Sequence, residues 1–240
     1  MDPVTPAEID PPANVLLVHE HQCETDICES LCHGVDSSAD LRVSFADKQP
    51  ERPDPDCVPG HVGLLTVGDV LLEETPDSAS DFDAPVVVDT VRDPTDLAAI
   101  GVAVSRFCKH WADEDLGVCF DSLDSLLRHT PPKTVFEFTY VLATRLSSVD
   151  AYAHFHFDPR HHEDRVVSTF GTIFDAVVAE EGSEGSVPEA TDDEVAALLA
   201  EWSETDEDGA AATDDTGEFV FEQAMAAEAT DEDVARLLGR

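Results

Sequence analysis

The chain has 240 residues, 42% of them apolar, which is room for one sizeable α/β domain plus extensions. Its 53 acids oppose 13 bases, a formal net charge of −40, so it lacks the basic patch that direct nucleic-acid binding requires. No apolar run approaches the roughly 18 residues of a membrane span, and the start at Met1-Asp2-Pro3 lacks a basic region followed by an apolar one, so a cytoplasmic protein without membrane insertion is expected.

Residues 1–13 contain four prolines and read as a loose, disordered arm. Asn14 to Val18 (NVLLV) is a buried-strand candidate, and residues 24–33 (ETDICESLCH) place Ile27, Leu31 and the cysteines at helical spacing. Leu41 to Ala46 alternates as a strand should, residues 48–59 form a proline-rich loop, and Val62 to Val67 is a further apolar run. The β-branched stretch from Pro85 to Val91 predicts a central strand. Residues 95–112 have helical period, with Leu97, Ile100, Val104 and Phe107 on one face. Leu116 to Phe120 (LGVCF) is a strand ending at Asp121. Helices follow at 122–129 and 133–147, a strand at Ala151 to Phe157, a helix at 162–173, and a last short strand at Phe174 to Ala179. Strands alternating with helices imply a three-layer domain over 14–180: a mainly parallel sheet with helices on both faces.

From about residue 181 the composition turns to Glu, Asp, Gly, Ala and Thr, a largely disordered acidic tail over 181–240. It holds one internal repeat: Glu189 to Leu199 reads EATDDEVAALL, and Glu228 to Leu238 reads EATDEDVARLL. Each copy opens with a threonine and an acid three positions later, the pattern of a helix start, which predicts short helices over 190–202 and 229–239. Val195, Leu198, Leu199 and Trp202 form one apolar stripe, and Val234, Leu237 and Leu238 the other. Isolated helices this short are marginal in water, so they are expected to fold when docked on the domain or on a protein partner.

An apolar strand, a loop and a helix over 14–33, then an apolar strand ending in an acid at 116–121, is the frame of a RecA-type ATPase. Val118-Cys119-Phe120-Asp121-Ser122-Leu123 resembles the Walker B strand and following Ser-Leu of the KaiC-like branch. The continuation through AHFHFDP at 153–159 and FDAVV at 174–178 is similar to a haloarchaeal family of unknown function that looks like degenerate KaiC/RecA relatives. The resemblance covers about residues 14–179. It implies a RecA/KaiC-like sheet, with Asp121 and Ser122 at the position of a magnesium and nucleotide site. A phosphate loop needs glycines, whose backbone N–H groups cradle phosphate, and a lysine. Here the strand is followed by His19-Glu20-His21-Gln22-Cys23-Glu24-Thr25-Asp26, with neither, and its acids would repel a triphosphate. Asp121 then reads equally as a strand-end acid or helix cap. No cofactor and no catalysis are expected; residual ATP binding is the alternative.

Two other constellations carry metal chemistry. His19, His21, Cys23, Cys28, Cys32 and His33 are close in sequence, and Cys28 and Cys32, four apart, share a helix face. Zinc takes four such ligands, although the spacing lacks a C-x₂-C pair. The competing reading makes Cys28 and Cys32 small hydrophobes against the sheet, with the histidines solvated at the loop. His154 and His156 share one face of their strand, with Asp158 expected to point the same way and His161 and His162 following. An exposed or hydrogen-bonded histidine pair is the alternative there. Cys108 and Cys119 fall in apolar runs and read as inert core thiols. No G-x-S-x-G elbow is present and no base is evident beside Ser122, so nucleophilic catalysis has no candidate. The leading expectation is a non-catalytic regulatory or adaptor protein that binds protein partners, with a metal or redox sensor as an alternative; a homo-oligomer is compatible with it.

The acidity is not confined to the tail, because residues 1–179 alone carry 33 acids against 11 bases. Such self-repulsion pushes a compact state apart in dilute buffer and is screened at multimolar salt, where the Debye length is roughly 3 Å or less. Only three lysines occur (Lys48, Lys109, Lys133), the surface expected of a protein from a salt-in halophile. Helicity followed by circular dichroism should fall when KCl drops from multimolar to millimolar levels. Retained ellipticity with a sharp melt at low salt would contradict the halophilic reading.

Overall fold

A computed structural model describes residues 3–19, 26–33, 37–45, 52–55, 58, 60–68, 81–179 and 187–207. Seven strands form one sheet: β1 (Ala13–Val18), β2 (Ala39–Phe45), β3 (His61–Val67), β4 (Val86–Val91), β5 (Leu116–Phe120), β6 (Tyr152–Phe157) and β7 (Ala176–Ala179). Their order across the sheet is β4-β3-β2-β5-β6-β1-β7, and every pairing is parallel. A parallel sheet must be covered on both faces, and the sequences of β1 and β6 reflect it: every residue of both strands is buried. The expected α/β architecture is therefore the observed one. β4, expected to be central, lies at the sheet edge.

The helices are α1 (Asp26–His33), α2 (Leu97–His110), α3 (Leu123–Leu127), α4 (Pro132–Ser147), α5 (Asp164–Gly171) and α6 (Asp192–Glu207). They divide unequally. α2 through α6 all feed one large core with Leu16, Val18, Leu41, Val43, Val118, Phe120, Phe155 and Phe157, one side of each strand. On the other side, α1 and a 3-10 turn at Pro6–Glu8 are the helical cover among the described residues. There Cys28 and Leu31 pack on Val15, Leu17, Cys119, Tyr152 and Val178. The period-2 alternation of each strand sorts its residues between these two cores.

Residues 3–12, expected to be a loose arm, are tethered instead. Val4 N–H donates to Val177 O at 2.9 Å, extending the edge beyond β7, and Ile9 packs beside α1. At the other end α6 is the first tail repeat, docked on its own domain. Thr191 and Glu194 close the expected capping box, with Thr191 N–H donating to Glu194 Oε2 at 2.8 Å and Glu194 N–H to Thr191 Oγ1 at 3.3 Å. Leu198 is buried, and Val195, Leu199 and Trp202 pack against the large core. Lys133 Nζ donates to Ser203 Oγ at 2.7 Å and Arg165 Nη1 to Glu201 Oε2 at 2.7 Å, clipping α6 to α4 and α5. The second repeat, with Val234, Leu237 and Leu238, lies outside the described residues.

Phe155 sits at the centre of the large core, stacked on Phe120 with ring centroids 5.4 Å apart and tilted against Phe174 at 5.2 Å. Phe155→Ala should cost about 3–5 kcal/mol through the lost transfer energy and the cavity left behind. Denaturant unfolding of the two proteins in concentrated KCl measures it; a difference below about 1 kcal/mol would mean that the aromatic core is not packed as described.

A buried thiol and imidazole cluster as the candidate functional site

The smaller core contains its polar exception. In β6, alternation points His154 and His156 toward α1, and both are buried. Parallel pairing sets Cys119 of β5 beside His154, and Arg42 of β2 beside Cys119. α1 lies over this row. Its helical spacing places Cys28 and, one turn later, Cys32 above the sheet. His19, the residue after β1, is buried next to His156. Three thiols and three imidazoles so meet in one place. The cluster reaches from the middle of the sheet face, at Cys119 and His154, to its carboxyl end, at His156 and His19.

The contacts are short and specific. His154 Nε2 lies 3.4 Å from Cys28 Sγ and 3.9 Å from Cys32 Sγ. His156 Nε2 lies 3.6 Å from Cys119 Sγ, while its Nδ1 is 2.9 Å from His19 Nε2. One ligand atom each from Cys28, Cys119, His154 and His156 falls within 4.8 Å of all the others, and all four residues are buried. The thiols also bond one another. Hydrogen bonds from Cys119, then Cys28 and His154, hold the Cys32 thiol far below the ordinary thiol range despite burial. The bonds to Cys28 and Cys32, with complete desolvation, push Cys119 well above it. For Cys28 the bond to Cys119 pulls downward, but the bond to Cys32 and burial outweigh it and push the thiol up to about 12. The three environments therefore differ: that of Cys32 lowers its thiol pKa, and those of Cys28 and Cys119 raise theirs. Beside Cys32 and His154 opens a cavity of about 240 Å³, lined also by Leu31, Arg42, Leu64 and Tyr152.

The two metal constellations expected separately are thus partly one. His19, His154, His156, Cys28 and Cys32 come together. His21 and Cys23 lie outside the described residues, and His33 closes α1. Asp158 does not join the histidines. The strand ends at Phe157, and Asp158 caps the turn Pro159–His161 instead, accepting from Arg160 N–H at 3.1 Å. Its carboxylate pairs with Arg160 Nη2 at 2.9 Å and His161 Nδ1 at 3.2 Å. His162 pairs with Asp124 at 2.7 Å and stacks on Phe157. Cys119, read from the sequence as inert core, is a member of the cluster. The signal was its alternation: Gly117 and Cys119 face away from Leu116, Val118 and Phe120, and so away from the large core.

At the nucleotide-like position, Asp121 N–H donates to Val43 O at 2.9 Å, prolonging the β5–β2 ladder. Ser122 caps α3, its hydroxyl accepting from Ser125 N–H at 3.1 Å. Asp121 thus holds the strand-end position, and the helix cap is Ser122, a role that the sequence alone did not assign to it. Residues 20–25, where a phosphate loop would stand, lie outside the described residues.

Residues 12–180 match a family of unknown function, DUF7504. The chain belongs to this family. The match spans the whole sheet and the cluster, and ends before α6. No curated protein and no solved structure matches the chain at a significant level.

Among the described thiols, Cys32 combines a lowered thiol pKa with partial exposure, whereas Cys28, Cys108 and Cys119 are buried. Under limiting alkylation of the native metal-free protein, peptide mapping should find Cys32 modified at least about tenfold faster than those three, and still reactive below the ordinary thiol range. Equal labelling of all four would refute the inequality.

Proposed function

We propose that this chain is a non-catalytic regulatory protein whose α/β domain responds at the thiol and imidazole cluster beneath α1 and passes its state to protein partners. The observation that carries the reading is the convergence of Cys28, Cys32, Cys119, His19, His154 and His156 in one buried site. Buried polar side chains are costly unless they satisfy one another, and five buried ones with the half-buried Cys32, all between α1 and one sheet face, are more than an apolar core needs. Thiols and imidazoles both change state by binding metal, and thiols also by oxidation. The lever is α1. An eight-residue helix does not hold together alone, so its order depends on what ties it to the sheet.

Several features support a binding role over catalysis. The sequence after β1 has no glycine or lysine to cradle phosphate. Ser122 is committed to a helix cap. The protein, in this reading, is a KaiC/RecA-like pseudo-ATPase domain in a haloarchaeal cytoplasm, where the reducing milieu keeps thiols free and concentrated salt screens the −40 charge. Partners are engaged through the domain surface and through the one tail segment, residues 228–238, whose sequence repeats the α6 stripe.

Hydrogen exchange of the full chain in about 2–3 M KCl tests the response. Three states are compared: reduced with chelator, reduced with one equivalent of Zn²⁺, and mildly oxidised. Amides of residues 26–33 should exchange at least about tenfold more slowly in one of the latter two than in the first. Identical exchange in all three states would remove the cluster from any regulatory role.

A further inference from the structure

We infer that the cluster is a tetrahedral site for a zinc-class divalent ion, with Cys28 Sγ, Cys119 Sγ, His154 Nε2 and His156 Nε2 as its four ligands. The inference rests on the regulatory reading only for its consequence, the tying down of α1; the coordination chemistry stands by itself.

The distances carry it. Zinc binds sulfur at about 2.3 Å and imidazole nitrogen at about 2.0 Å, so a regular tetrahedron sets sulfur and nitrogen ligands about 3.5 Å apart. The structure has Cys28 Sγ 3.4 Å from His154 Nε2 and Cys119 Sγ 3.6 Å from His156 Nε2. One ligand atom from each of the four residues lies within 4.8 Å of those of the other three, a distance that small side-chain rotations close. Two sulfurs and two imidazole nitrogens in a tetrahedral array select zinc over magnesium or calcium, which take oxygen.

The surroundings fit as well. Metal-bound histidine commonly holds its ring by a hydrogen bond at the other nitrogen. His156 Nδ1 makes such a contact, 2.9 Å from His19 Nε2, and this leaves Nε2 directed at Cys119. His19 is therefore a positioning residue and not a ligand. Binding releases the two thiol protons of Cys28 and Cys119 to solvent. The resulting unit, one dication with two thiolates and two neutral imidazoles, carries no net charge and suits a buried site. Cys32, one turn further along α1 and 3.9 Å from His154 Nε2, remains outside the set as a neighbouring thiol at the mouth of the cavity. The ligands come from α1, β5 and β6, so an ion there ties the short helix to two strands at once.

The test is titration of Co²⁺ into the reduced, untagged full chain in concentrated KCl, read against a protein-free blank in the same salt. Expected are intense visible bands of tetrahedral cobalt and near-ultraviolet thiolate-to-cobalt charge transfer, saturating at one equivalent and displaced by Zn²⁺. Cys32→Ser should keep both bands and the stoichiometry. His156→Ala should lose the tetrahedral spectrum, with circular dichroism confirming the fold. His19→Ala should keep the spectrum while affinity falls about 10–100-fold, as expected for a residue that orients a ligand. A folded wild-type chain that gives no tetrahedral cobalt spectrum overturns the site. Loss of the spectrum in Cys32→Ser with retention in folded His156→Ala overturns this ligand set. The two readings fail separately. Oxidation-dependent protection of α1 without cobalt binding would sink the metal site and leave the regulatory reading. Cobalt binding without any change at α1 in metal or oxidant would do the reverse.

Discussion

The insertion of β6 between β1 and β5 is the constraint on which both faces of the domain depend. Its parallel register with β5 sets Phe155 beside Phe120 on one face and His154 beside Cys119 on the other. Its register with β1 sets His154 beside Val15 and His156 beside Leu17. A slip of one residue would exchange the faces of every side chain in the strand, driving two imidazoles into an aromatic core and two phenylalanines under a short helix. The apolar stack on the large-core side therefore enforces the register from which the polar cluster follows.

The two faces are stabilised by different physics. The α2–α6 side is an extensive apolar core, where burial of Phe, Leu and Val supplies a non-directional driving force. The α1 side buries less and uses directional contacts between polarizable groups. Directional contacts are weak as net stabilisers but expensive to leave half made. The α1 side is accordingly where a chemical change at a few atoms has most structural effect, while the rest of the domain is buffered against it.

Much of the architecture was legible in the sequence because it rests on local signals. The apolar runs gave the strands, the 3.6-residue period gave α2 and α4, and the hydroxyl–acid spacing at Thr191 and Glu194 gave the start of α6. The site was legible only in halves. Cys28 with Cys32, and His154 with His156, each follow from the periodicity of one element. That the two pairs face each other depends on strand order, which no local pattern encodes. Cys119 was hidden for the same reason, since in isolation LGVCF reads as one apolar strand. Asp158 misled because alternation was carried one residue past the strand end, where a proline turn takes over. The arm at residues 3–12 was misjudged because its anchor, Val177, is distant in sequence.

The attachment of α6 has an evolutionary corollary. Its ion contact, Arg165 with Glu201, is exposed at both side chains and fades in concentrated electrolyte. What persists there is the burial of Leu198 and the contact of Val195, Leu199 and Trp202 with the core. The acidic residues around that stripe, apart from Glu194 in the capping box, are thus open to neutral drift, free to be reshuffled among Asp, Glu and Thr at little cost in docking, whereas a single substitution of Leu198 by a polar residue would be felt at once. Selection on this segment would act on four apolar positions and the Thr191–Glu194 cap, and leave most of the rest to the demands of solubility.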